Sequence, residues 1–173
     1  MSEVVIRAVY EADYGEVVEL NASEVQHTSA MDRDRVLYLD NLSAYHRLAE
    51  LDGTVAAFLL AIKDRAPYQN DNFNWFAARY DQFLYIDRIV VGGHFQGRGI
   101  GALLYRDLFE YARKQNIPLI TCEINIIPPN QRSLDFHAGH GFKEVGRQWL
   151  GNGQKQVSMQ VADTGFHLQV DAR

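Results

Sequence analysis

Apolar positions along this chain change their period repeatedly, and each change marks an element. VVIRAV (4–9) is a β-branched run and reads as a strand. EADYGEVVEL follows, with Asp13 and Glu16 at capping-box spacing, which predicts a helix running to about Val25. DRDRVLYLDNL predicts a second short helix over 32–42. Two apolar runs in YHRLAELDGTVAAFLLAIK flank Asp52-Gly53, a strong hairpin signal. Residues 64–82 lose the period altogether and are polar and aromatic, with room for a short helix at 73–80. FLYIDRIVV (83–91) then reads as a buried central strand. Ile100, Leu103, Leu104, Leu108, Tyr111 and Ala112 recur at helical spacing over about 17 residues, and Glu110 and Lys114 form an i,i+4 pair on the opposite side. Asn116 and Ile117-Pro118 supply the stop. LITCEINII (119–127) is a further strand and NQRSLDFHAGH (130–140) a short helix. FKEVGRQWL (142–150) and QKQVSMQVA close a second hairpin around Asn152-Gly153. Strands that alternate with helices mid-chain and pair as hairpins at both ends imply a mixed α/β sheet.

No repeat or linker divides the 173 residues, so a single domain is expected over 1–173, with a core of 3–162 and a tail of 163–173. No apolar run reaches the ~20 residues of a membrane span, and the N-terminus lacks a signal peptide's basic and apolar regions. One cysteine, Cys122, cannot form an internal disulfide, which fits a cytoplasmic setting. A net charge of −5 argues against a nucleic-acid partner and leans toward a cationic one.

The most unusual stretch is VVGGHFQGRGIGALL (90–104), which runs five glycines into a helix. The first N–H groups of a helix lack internal partners, and the helix dipole adds positive potential there. Gly97, Gly99 and Gly101 remove the Cβ atoms that would hold an anion away, while Gln96 and Arg98 add side-chain donors. A Walker loop is excluded, because no Gly-Lys-Ser/Thr follows. The spacing G-x-G-x-G also departs from the dinucleotide fingerprint, and Ile117 and Pro118 stand where an acidic ribose partner belongs.

QGRGIGA (96–102), directly after YIDRIVV, resembles the acetyl-CoA signature Q/R-x-x-G-x-G/A of the GNAT superfamily of N-acetyltransferases. NQRSLDFHAGHGF is similar to that family's N-x-x-A-x-x-L-Y-x-x-x-G-F, and the order of elements agrees over about residues 3 to 162. The resemblance implies a mostly antiparallel mixed sheet of about seven strands, splayed at its centre and flanked by about four helices. It implies acetyl-CoA as co-substrate and direct transfer of acetyl to an amine of a small molecule or peptide. Main-chain groups of Ile89, Val90 and Val91 should pair with pantetheine, and Gln96, Gly97, Arg98, Gly99, Ile100 and Gly101 should hold the pyrophosphate. Asn130, Ser133 and Phe136 should meet the cofactor from the short helix.

The same resemblance puts His137 where the family commonly has a tyrosine that protonates the leaving thiolate. An imidazole titrates near neutrality and is able to take that role, or it only positions the sulfur. Asn130, Ser133 and His137 share one helix face, with Leu134 and Ala138 on the adjoining core stripe. Related enzymes sometimes carry a carboxylate five residues before the motif asparagine, where this chain has Asn125. Glu123, one pleat earlier on the same face, and Asp87 on the central strand are the alternative general bases. The structural alternative for Asp87 is an ion pair with Arg88 or Arg98. Tyr85 and Tyr111 are fallback phenols. Cys122 reads as a small buried residue rather than a nucleophile. His137 and His140 with Asp135 are too sparse a set to indicate a metal.

On the acceptor side, Tyr68, Phe73, Trp75, Phe76 and Tyr80 either roof a pocket or pack against the sheet, and Trp149 is equally open. Asp32, Asp34, Asp64, Asp71 and Asp81 are placed to draw a cationic amine if charge steers it. The tail DTGFHLQVDAR is available to pack across a second copy in a homodimer. A catalytically degenerate acyl-CoA-binding sensor remains the alternative function.

Overall fold

The computed structural model describes residues 2–24 and 28–165. Its elements are β1 (Val4–Ala8), α1 (Tyr14–Ser23), α2 (Arg33–Leu42), β2 (Tyr45–Leu51), β3 (Thr54–Lys63), α3 (Asp71–Ala77) and β4 (Leu84–Val91). They continue with α4 (Ile100–Lys114), β5 (Leu119–Ile127), α5 (Gln131–Gly139), β6 (Lys143–Leu150) and β7 (Lys155–Asp163). The seven strands form one sheet in the order β1-β2-β3-β4-β5-β7-β6, antiparallel at every step except β4–β5. Five α-helices flank it, close to the approximate four expected, with α3 in the aromatic stretch that had room for a short helix. No helix among the described residues is long and apolar enough to cross a membrane.

Two apolar clusters fill the two sides of the sheet. One joins α4, through Ile100, Leu104, Tyr105 and Leu108, to Leu59, Leu84 and Ile120. The other joins α1, α2 and α3, through Val17, Leu39, Phe73 and Phe76, to Phe58, Tyr85 and Val157. β3 feeds both sides in alternation, which explains why its sequence AAFLLAI is apolar without interruption.

Local differences from the sequence reading have identifiable causes. Asp13 does not cap α1: its carboxylate accepts from Tyr10 N at 2.8 Å and binds Arg7 through both oxygens, closing a short 3-10 turn at Glu11–Asp13 instead. The helix that follows ends at Ser23, and Val25 lies outside the described residues. α3 begins two residues earlier than expected because Asn70 Oδ1 accepts from both Asn72 N and Phe73 N. α3 is drawn onto β6 at Gly146, where a Cβ would lie 2.5 Å from the Trp75 ring, and Gln148 donates to Asn72 there at 2.9 Å. Ala138 is exposed, whereas Leu134 and Phe136 pack against the α4-side cluster. The tail beyond Gly165, proposed to reach a second copy, lies outside the described residues.

The feature that creates a site is a mismatch in pairing. β4 is registered with β3 from Ala57–Val91 to Lys63–Leu84. On its other side it meets β5 only at Leu84–Ile120 and Tyr85–Thr121. From Ile86 to Val91 that edge has no strand beside it, so its backbone donors and acceptors face a gap.

Candidate active site

The gap opens into a groove of about 490 Å³ between the end of β4, the glycine loop and α5. Gly97 and Gly99 take φ of +75° and +76°, a left-handed backbone that side chains resist, with open space where each Cβ would stand. Gly99 is the N-cap of α4 and, like any glycine, brings no side-chain cap, and the first turn carries no acidic residue. The free N–H groups there face an anion's natural position. Gly101 serves a different need, since a Cβ would touch Phe136 Cζ at 3.4 Å across the groove.

Of the twelve residues expected to contact the cofactor, eleven line this groove: Ile89, Val90 and Val91 on β4, Gln96, Gly97, Gly99, Ile100 and Gly101 in the loop and α4, and Asn130, Ser133 and Phe136 on α5. Arg98 is the exception. It is exposed, does not line the groove, and sets its guanidinium 5.9 Å from the Phe95 ring centre. Arg132, which sequence reading passed over, lines the groove and donates to Gln96 Oε1 at 2.5 Å. Asn130 caps α5 by accepting from Ser133 N at 3.2 Å.

A second cavity, of about 300 Å³, lies on the other side of the gap and is walled by β4, β5, α3 and β7. The two cavities share Thr28, Ile89, Asn130, Ser133 and His137, so they meet at the open seam between β4 and β5. Both carboxylates selected from sequence reach the second cavity, in different states. Asp87 is committed: it accepts from Arg88 Nε at 2.8 Å and from the Tyr68 hydroxyl at 2.5 Å, the ion-pair alternative. Arg88 is anchored in turn by Asn21 and Ser29. Glu123 accepts from the Tyr85 hydroxyl at 2.8 Å, and no cation pairs with it among the described residues. Burial pushes its carboxyl up to about 7, against the pull of the hydrogen bonds from Tyr85 and Asn72.

His137 is buried at the junction with both nitrogens engaged. The Ser133 carbonyl oxygen, 2.7 Å from Nδ1, only accepts, so Nδ1 carries the proton. Nε2 therefore accepts from the Tyr105 hydroxyl at 2.5 Å. Burial pushes the imidazolium down to about 4, so the ring is neutral across the physiological range. Tyr105 is the residue sequence reading missed. It lies on the buried face of α4 between Gly101 and Leu108, at a position the apolar stripe read from Ile100, Leu103, Leu104 and Leu108 leaves out. Tyr111, a fallback phenol, bonds the Ala44 carbonyl far from the seam. Cys122 borders the second cavity, but burial pushes its thiol well up, which removes the thiolate a nucleophile needs.

The aromatic stretch divides. Tyr68 lines the second cavity, while Phe73 and Phe76 are core, with Trp75 and Tyr80 packed against them. None of Asp32, Asp34, Asp64, Asp71 and Asp81 lines the cavity. Asp32 caps α2 and Asp64 accepts from Phe83 N.

The family profile described as "Acetyltransferase (GNAT) family" matches residues 7–142. The chain belongs to the GNAT acetyltransferases. It is an N-acetyltransferase, and acetyl-CoA is the acyl donor. Among solved structures, the ribosomal-protein-S18-alanine N-acetyltransferase from Escherichia coli superposes with a TM-score of 0.76 at 11% identity, covering 99% of this chain and 100% of the other. A GNAT acetyltransferase from Streptococcus pneumoniae gives 0.72 at 22% identity over 94% and 100%. A putative acetyltransferase from Salmonella typhimurium, solved with acetyl-CoA, gives 0.71 at 20% identity over 99% of each chain. At these identities the similarity shows the GNAT fold. No curated protein matches the sequence.

Proposed function

We propose that this GNAT enzyme acetylates the amine of a small molecule held in the 300 Å³ cavity, by direct attack on acetyl-CoA held in the larger groove. The observation that carries the proposal is that the two cavities meet at the seam, with a near-neutral carboxyl on the acceptor side only. The groove suits the donor. The unpaired edge of β4 offers backbone groups to pantetheine as an added strand would. The loop of Gly97 to Gly101 offers uncapped N–H groups to a pyrophosphate, with Arg132 alongside. Acetyl-CoA, when bound, supplies the thioester carbon that the amine attacks.

The remaining chemistry belongs to side chains. An amine arrives mostly as an ammonium and must lose a proton before it is nucleophilic. Glu123 is the base of choice: a carboxyl at about 7 is substantially ionised at neutral pH yet basic enough to accept that proton. Asp87 is held by Arg88 and Tyr68, and its role is to fix that wall of the cavity. The uncharged state of His137 favours the positioning role over the acid role. It holds Tyr105 and the Ser133 turn at the junction. Thermal melting with acetyl-CoA, with NAD and ATP as controls, tests the donor groove. Thiol release on adding amines tests transfer. A shift with acetyl-CoA and no thiol from any amine would instead identify a sensor.

A further inference from the structure

We infer that the acceptor is a small zwitterion, an amine that also carries a carboxylate or phosphorus oxyanion, with Arg35 and Lys155 receiving the anion and Glu123 the amine. This rests on the proposed amine acetylation and specifies its substrate class.

Three cations border the second cavity, Arg35, Arg88 and Lys155, against two carboxylates, Asp87 and Glu123. Arg88 and Asp87 neutralise each other at 2.8 Å and are both nearly buried. Arg35, from α2, and Lys155, from the start of β7, have no carboxylate partner among the described residues; Arg35 only rests over the Tyr38 ring at 4.9 Å. The single unpaired carboxylate, Glu123, is partly protonated near neutrality. The cavity therefore presents a positive excess although the whole chain carries −5. A diamine or polyamine would set its second ammonium against that excess. A zwitterion satisfies both ends, and Asn125 and Tyr85 add neutral polar groups to the lining. A volume of about 300 Å³ is at the small end for ligand cavities and suits a molecule of amino-acid size.

The test compares acceptors matched in their amine. Free amino acids, their aminoalkyl phosphonate analogues, their decarboxylated amines and a simple diamine are assayed by thiol release. Calorimetry on the CoA-loaded protein measures binding independently of turnover. The expected result is a preference of about 10-fold or more in kcat/KM for the anion-bearing member of each pair. Relative activity of carboxylates and phosphonates identifies which anion is meant. R35Q and K155M should raise KM for the zwitterion and reduce the preference, with the stabilisation by acetyl-CoA unchanged. Equal or faster turnover of decarboxylated amines or the diamine would overturn this inference while leaving acetyl transfer intact. Turnover of peptides but not of free amino acids would also overturn it. Absence of both binding and turnover across the whole panel, with acetyl-CoA still stabilising the protein, would overturn it together with the transfer proposal.

Discussion

Glu123→Gln isolates the proton-accepting step with little structural cost. Glutamine keeps the shape and still accepts the hydrogen bond from the Tyr85 hydroxyl, so the β5 wall should stay in place. With its carboxyl at about 7, wild-type Glu123 is roughly one-tenth ionised at about pH 6 and nine-tenths at about pH 8. If the ionised form is the base, kcat/KM for the acceptor rises about 9-fold across that interval and then levels. The variant loses ~100-fold or more in kcat and its profile no longer levels near 7, climbing instead toward the acceptor's own pKa at ~10. Stability moves in the opposite sense. The folded carboxyl lies above its ordinary 4.5, so ionisation above that range works against folding. E123Q should therefore melt higher than wild type at pH 8, with the difference vanishing below about pH 4.5. The assay is thiol release at saturating acetyl-CoA, with melting of the same samples across pH. A variant that kept both the rate and the levelling near 7 would refute Glu123 as the base.

Other perturbations test separate parts. Gly99→Glu forces a side chain into a backbone at φ +76° and puts a negative charge at the mouth of α4. It should abolish the stabilisation by acetyl-CoA, about 2.7 kcal/mol in wild type at 100-fold excess over Kd, as read by melting. His137→Phe leaves the buried Tyr105 hydroxyl without its acceptor and should cost about 1–3 kcal/mol by urea unfolding. If the ring only positions its neighbours, the pH profile keeps its shape at a lower rate, whereas loss of an alkaline limb would restore it as the acid. Arg7→Ala removes the partner of Asp13 and Glu50 and should destabilise by about 2 kcal/mol at pH 7. Arg7 holds the Asp13 carboxyl below its ordinary 3.8, so that contribution is present above this value and is lost as pH falls through the lower folded one. The wild-type advantage should accordingly shrink in acid unfolding.

Elements whose local pattern and long-range role agree were legible from sequence. The glycine loop needed φ above zero at Gly97 and Gly99 and so announced itself, as did the hairpin at Asp52-Gly53. α3 was misplaced because its start depends on one side chain, Asn70, capping two N–H groups. Asp13 has a cap's identity and spacing, but Arg7 on the preceding strand competes for it, a contact made only when the chain turns between them. In the site, eleven of the residues that line the groove were singled out from the two motifs and the strand before them. Arg132 and Tyr105 were not, since their roles come from which helix faces which. The charge bordering the second cavity was not legible for the same reason. Composition reports the whole surface, whereas the cavity is assembled from α2, β4, β5 and β7.

The two-residue contact between β4 and β5 has a kinetic consequence. A sheet seam left unzipped should exchange quickly those amide hydrogens between Ile86 and Val91 that point away from β3, and a ligand that completes it should slow that exchange. Ile89 and Ser133 belong to both cavities, so whatever occupies the donor groove also finishes a wall of the acceptor cavity. Donor-first addition is the expected consequence: affinity for the amine should rise once acetyl-CoA has filled the groove, and calorimetry with and without CoA checks it.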